Sequence, residues 1–356
     1  MTDVRNDPTP PAGLEPASRT FLAEVGDAVS ARTVALVFGV LLLQLGFILS
    51  YVGAFHAPEP HRISVAAVAP AQVVSSLNSL PSQPLHAVAA TSPVAARSMV
   101  EHDNASAAFI LDPSSKTDTL LVASGGGAAL VTATETVVTD FDAAQHRRVH
   151  VSDVVPLETG DFRGLTGFYL VIGWMVGGYL MAALLGVAKG ARPATTRRAV
   201  VRVLAVIPYA ILSGLGGAIV VGPALGALTG HFLALWALGA LIVLGAATVT
   251  MAFQVLLGVL GVGVAVLVFV VLGNPSAGGA YQAALLPPFW RAISTALPNG
   301  AGTDTVRRVV YFGAHGIGGH LIVLAIWAAA GIIVALASAE ALTKRAARGH
   351  PAVAVL

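Results

Sequence analysis

This sequence predicts an α-helical polytopic membrane protein with six transmembrane helices, an extracellular α/β domain between helices 1 and 2, and a re-entrant loop between helices 5 and 6. Three observations carry that prediction. Only 11% of the 356 residues are charged and 56% are hydrophobic, whereas ordinary globular domains carry roughly 25% charged residues. Charge-free stretches long enough to cross a bilayer recur along the chain. Between the first two of them, a segment of about 110 residues alternates strand-like and helix-like apolar patterns.

Residues 1–17 hold four prolines among polar residues and read as a disordered cytoplasmic tail. In 18–32, Phe21, Leu22, Val25 and Val29 recur at helical spacing, which suits either an amphipathic helix at the inner membrane surface or the wet end of the first span. Residues 33–55 are 23 positions without a charge and form the first span, an uncleaved anchor. The α/β domain follows over 56–165. Strands are expected at 63–69, 85–91, 107–111, 119–123 and 149–154, and helices at 71–80, 93–102 and 128–145, enough for a modest core of its own.

The second span covers 166–188 and the third 203–221, interrupted by Pro208. Residues 232–272 are 41 positions without a charge, about 61 Å as one helix and so twice a bilayer. They divide into a fourth span at 232–251 and a fifth at 254–272, with a turn near Met251–Gln254. The sixth span is 318–342, and a basic cytoplasmic tail covers 343–356. Basic residues sort by side: 11 of 20 fall in the amino-terminal segment, in 189–202 and in the carboxy-terminal tail, which puts both termini in the cytoplasm.

The segment 273–312 lies between apolar stretches yet holds four prolines, five glycines and three arginines, so it cannot be a span. Asn274-Pro275, Pro287-Pro288 and Pro298-Asn299-Gly300 read as breaks and turns around short helices at 281–286 and 289–297. Phe289, Trp290, Tyr311 and Phe312 are rings suited to the headgroup level, with Arg291 among them. Irregular backbone at membrane depth survives only when buried in protein or lining a wet cavity, so the loop is expected to roof something.

GNPSAGG, LLPPFW, LPNGAG and RRVVYF within this loop, with VVPLETGDFRGLTGFYLVIGWMVGGYL at 154–180, resemble the YhgE/Pip-like branch of type-2 ABC exporter permeases of the actinobacterial type. The resemblance covers most of the chain from about Ala31. It implies a permease subunit in the bacterial cytoplasmic membrane, a homodimer or related heterodimer, with a separate nucleotide-binding ATPase subunit as partner. The 189–202 loop would then be the coupling element, through Arg192, Arg197, Arg198 and Arg202. The same residues serve equally as a topogenic charge cluster.

No phosphate-binding G-x-x-x-x-G-K-[ST] sequence occurs, so any ATP chemistry belongs to the partner. Gly125-Gly126-Gly127 reads as a tight turn rather than a phosphate cradle, since it lacks the lysine. His315 and His320 are five apart and have no carboxylate companion in the pattern of a helical zinc site. With no cysteines, thiolate metal sites and disulfides are excluded. No catalytic constellation, cofactor or nucleic-acid partner is expected. The middle spans lack Asp, Glu, Lys, Arg and His, which argues against ion coupling. Gly173 and Gly177 form a small-xxx-small pair. The expected function is export of an amphipathic or lipid-like cargo; a membrane scaffold or surface receptor of the phage-infection type is the other reading.

Overall fold

The computed structural model of the protein describes residues 30–349. The 1–17 tail, the stretch carrying Phe21, Leu22, Val25 and Val29, and residues 350–356 lie outside the described residues. The chain divides into a unit ending at Gly46 and a second beginning at Phe47, and helix α1 (Ala31–Phe55) bridges that division.

The α/β domain runs β1 (Ile63–Val68), α2 (Ala71–Asn78), β2 (Leu85–Ala89), α3 (Pro93–Glu101), β3 (Ala107–Ile110), β4 (Thr117–Val122), α4 (Ala128–Ala143) and β5 (Arg148–Asp153). Its sheet has the order β2-β1-β3-β4-β5 and is parallel except for the β3–β4 pair. Strand alternation splits the core between two faces. Ile63, Val65, Leu77, Phe109, Leu120 and Val138 pack under α2 and α4, and Ala66, Ala96, Val100, Ala108 and Leu121 pack under α3. Ser92 caps α3 by accepting from the Ala95 amide, and Pro93 takes the first helical position, where its missing N–H costs nothing.

Long apolar helices follow: α5 (Thr166–Lys189), α6 (Thr196–Ile219), α7 (Phe232–Leu257) and, after the intervening segment, α11 (Gly318–Gly349). With α1, five helices among the described residues are long and apolar enough to cross a membrane, as in a polytopic membrane protein. The post of the bundle is α7, 56% of whose apolar stretch is buried. Gly178 of α5 meets Ala246 and the Val243 carbonyl, Gly214 of α6 meets the Trp236–Ala240 turn, and Gly331 of α11 meets Thr248. A second contact on each helix, Gly186 with Gln254, Ala199 with Val255 and Ala328 with Gly245, makes α5 and α11 parallel to α7 and α6 antiparallel. Each glycine lets two backbones approach where a side chain would hold them apart.

Several bounds differ from the expected ones, each for a local reason. The 232–272 run folds back at Gly258 (φ +66), not at Met251–Gln254. Only a glycine takes the left-handed turn without strain, and Met251 and Gln254 are buried inside the helix. The return arm is α8 (Leu260–Val266), which continues as a π-helical stretch, Leu267–Leu272, and ends at Ser276. At 1.5 Å per residue its 17 residues reach about 26 Å. Pro208 does not interrupt α6, which begins at Thr196 with Thr195 as its cap and runs through the proline. Basic residues expected in a terminal tail extend α11 instead, with Glu340 and Lys344 paired at 2.6 Å.

In 273–312, Ala283–Leu285 is a single 3-10 turn, followed by α9 (Pro288–Ser294) and α10 (Pro298–Tyr311). The expected turn at Pro298-Asn299-Gly300 is the start of a 14-residue helix. A proline at the first helical position starts a helix as readily as it ends one.

Leucine at Gly178 should force α5 off α7 and lower stability by roughly 1–3 kcal/mol. Leucine at Gly173, where an added carbon meets nothing within 4 Å, should be tolerated. Thermal unfolding of both purified variants in detergent checks the contrast.

Candidate functional site

Because α5 and α6 both pack on α7, they splay apart near the α/β domain and leave a groove of about 750 Å³. Tyr169, Gly173 and Trp174 of α5 form one wall and Ser213, Gly217 and Val221 the other, and its lining holds no Asp, Glu, Lys, Arg or His. Trp174 is the floor: its ring lies against Gly217 and Gly239, and its Nε1–H donates to the Ser213 carbonyl at 3.3 Å. The missing side chain of Gly173 leaves open space. Sequence reading noticed Gly173 as a packing residue; its actual contribution is the width of the groove. Trp174 gave no signal beyond being aromatic near a helix end.

The bundle axis is filled by the buried side chains of Val171, Ile242, Val243 and Ala246. Helix α10 lies across its end, with Gly302 packed between Ile242 and Val171 and Ala301 and Val306 buried in the helix core.

The 273–312 segment seats the α/β domain rather than roofing a wet cavity. Leu285 joins the core under α2 and α4, and Phe312 joins the core under α3, so the loop closes both faces of the sheet at one end of its strands. His61 donates its amide to the Ala284 carbonyl at 2.9 Å. Tyr311 stacks on Gly125, and the Gln282 side chain fills the space beside Gly127. The triple glycine is therefore a turn shaped to fit the seat, and Gly127 (φ +138) needs its conformational freedom. Of the four rings expected at the headgroup level, Phe289 is well exposed, while Trp290 and Phe312 are buried and Tyr311 half-buried. Asn274 is buried and accepts from the Asn299 amide at 2.8 Å, and Pro275 is buried beside it in the helix end. Pro287 precedes α9 and Pro288 opens it. Trp290 packs with Ala54 and Leu286, and Arg291 donates to the Leu286 carbonyl at 3.0 Å.

Three acids that drew no attention in the sequence tie this seat together. Asp161 accepts from the Thr166 amide at 2.9 Å and hydroxyl at 2.6 Å, and from the Tyr311 hydroxyl at 2.7 Å. It caps α5 and fixes α10 to it. Burial and the Asp161 carboxylate push the Tyr311 phenol upward, so it stays a donor. Asp304 accepts from Arg307 at 3.0 Å, Arg308 at 3.2 Å and His320 at 3.1 Å, and Arg308 reaches Asp103 of the α/β domain at 2.7 Å. His315 packs edge-on against His102 and bonds the Phe312 carbonyl. Among the described residues no three histidines or carboxylates cluster as metal ligands.

At the far end, the expected coupling loop shortens to 190–195, and its arginines divide. Arg192 donates to the Val255 and Leu256 carbonyls at 3.1 and 3.0 Å, closing the end of α7. Arg202 donates to the Lys189 and Gly190 carbonyls, both at 2.9 Å, closing the end of α5. Cations suit these carbonyl-rich termini. Arg197 and Arg198 stand exposed on the first turn of α6.

No family model, curated protein or solved structure matches the chain.

Tyr311→Phe should lower stability by about 1–3 kcal/mol, because the Asp161 oxygen stays buried without its donor. Phe312→Ala should cost roughly 3–5 kcal/mol through the cavity it opens. Chemical denaturation, with proteolysis of the linkers around 56–61 and 156–164 as a second readout, measures both.

Proposed function

We propose that this protein is the membrane subunit of an exporter for amphipathic or lipid-like cargo, driven by a separate ATPase, in the type-2 ABC arrangement its motifs resemble. In this reading it works as a homodimer or related heterodimer in a bacterial cytoplasmic membrane, crossing six times with both termini inside and the α/β domain outside. Support for the orientation comes from the exposed cations: Lys189, Arg197, Arg198, Lys344, Arg345 and Arg348 belong to the bundle end opposite the α/β domain.

The observation that carries the reading is the apolar groove between α5 and α6. Its lining is uncharged, and the axial route is stopped by α10. An apolar chain gains by leaving water for such walls, whereas an ion would lose its hydration with nothing to replace it. The groove lies along the first two turns of α5 and the last two of α6, the outer half of the bilayer in this orientation. Helix α6 forms one wall and also carries Arg197 and Arg198 at its other end. A partner pressing on those arginines would move that wall as part of one helix. Arg192 and Arg202 would keep the ends of α5 and α7 closed.

A receptor or scaffold is favoured by a different feature, a groove of about 520 Å³ on the α/β domain lined by Val73, Leu80, Val137 and Phe141. In that reading the domain acts and the helices anchor it.

Filling the groove separates the two. In vesicles containing the protein and a co-expressed partner ATPase, Gly173→Phe should abolish cargo-stimulated ATP hydrolysis, while Gly216→Phe, at a position equally open but outside the groove, should not. Arg197→Glu with Arg198→Glu should prevent co-purification of the ATPase. Full activity in the Gly173 variant would overturn the groove's role, and failure to bind any ATPase would favour the receptor.

A further inference from the structure

Asp118 on β4 and Asp142 at the end of α4 are both fully buried. Asp118 has donors: Arg147 grips it through Nε and Nη2, and the Asp112 amide reaches it at 2.7 Å. Arg147 also donates to the Asp112 carbonyl at 2.7 Å. Asp142 has none, since neither of its carboxyl oxygens meets a donor. Arg147 brings the two acids together, its guanidinium on the Asp118 carboxylate and its amide on the Asp142 carbonyl, and the two carboxyls lie within reach of one another. An ionised carboxylate can only accept, so a bond between them requires a proton on one. Two buried carboxylates against one guanidinium leave a negative charge that the interior does not balance. Asp112 also faces the pair, with its own carboxylate held by Ser114.

We propose that Asp118 and Asp142 hold a single proton between them, a buried proton site that fastens the end of α4 to the sheet and opens that corner when the proton leaves. The corner depends on Asp142 through its backbone as well: its carbonyl accepts the Gln145 and Arg147 amides, both at 2.9 Å. His146 in the same turn has φ +57, a conformation that persists only while its surroundings hold it. Asp140, Phe141, Ala144 and Gln145 of this corner line the groove on the α/β domain. Loss of the proton to solvent therefore changes the shape of that groove.

The titration fits the geometry. Burial and the charge of Asp118 push Asp142 up to about 7. Burial works to raise Asp118 as well, but Arg147 and the Asp112 amide outweigh it and hold Asp118 below its usual value. A carboxyl raised in the folded state contributes stability that is complete below its unfolded pKa and is lost as pH rises through its folded one. The vulnerable window is therefore mildly acidic to neutral pH.

Hydrogen exchange on the full chain in detergent tests this. After correction for intrinsic chemistry, opening of 141–147 in the native protein should rise about tenfold per pH unit between about pH 5 and pH 7, then level off. Asp142→Asn donates to Asp118 as the protonated acid does and carries no titrating group, so its exchange should be flat over that range. Infrared titration of the unmutated chain provides the second measurement and should show a protonated-carboxyl band lost near neutrality. A pH-independent corner in the native protein, an equal slope in the Asn variant, or absence of that band would overturn the proposal.

Discussion

The structure depends on the closure of one end of a five-stranded sheet, across its strand termini, by a segment more than a hundred residues further along the chain. The strand ends nearest the helices, the starts of β1 and β3 and the finishes of β4 and β5, would otherwise leave the cores on both faces open to water. Leu285 fills one and Phe312 the other. Apolar burial of this kind is non-directional, so orientation comes from the polar contacts at its margin: Tyr311 with Asp161, and Arg308 with Asp103. The α/β domain is thereby a continuation of the helical body. Neither the prolines nor the glycines of 273–312 are spacers, because they shape the surface on which the sheet rests.

A second constraint follows from the central position of α7. Helices that pack on a common post approach closely where glycine faces it and diverge where it does not. Gly178 and Gly214 draw α5 and α6 onto α7, while Gly173 faces away into the space between them. The groove is thus a consequence of packing at other positions, and a broad indole keeps its floor from collapsing. Helix α10 lies elsewhere on the bundle, where its small residues Ala301 and Gly302 let it pack close against Val171 and Ile242.

Much of this was legible in the sequence, and the reasons for the rest are physical. Strand and helix alternation in 56–165 depends on local periodicity, so the elements fall within a few residues of their expected places. The turn in 232–272 lies a few residues beyond its expected place, because Gln254, the polar residue of that run, packs its amide against Gly186 inside the bundle. Pro298 looked like an ending because sequence alone does not say whether a proline closes one helix or opens the next. Asp103, Asp161 and Asp304 were invisible because their meaning lies in distant partners: Asp161 and Tyr311 are 150 positions apart. The arginine cluster at 189–202 shows the same limit. Spacing could not tell which guanidiniums close helix ends and which face outward.

That division of arginines bears on how any force could enter the molecule. Arg192 binds two carbonyls and Arg202 three at the ends of neighbouring helices, and detaching either would leave those helix-end acceptors without their donors. They hold α5, α6 and α7 together at the far end. Arg197 and Arg198 carry no such duty, so a partner can engage them without unfolding a terminus. Helix α6 is pinned by Arg202 one turn beyond them, and it runs through Pro208 to the wall at Ser213 and Gly217. A proline removes one hydrogen bond from the ladder and makes that point the softest along the helix. Motion begun at Arg197 would therefore reach the groove end of α6 along the same helix, through the bendable point at Pro208. The tyrosine beside the proline limits that motion, since the Tyr209 hydroxyl donates to the Gly177 carbonyl of α5 at 3.2 Å. The same stretch is held to α7, where Gly214 lies on the Trp236–Ala240 backbone and Trp236 donates to the Ile211 carbonyl at 2.9 Å, so a change in groove width repacks the α6–α7 seam as well.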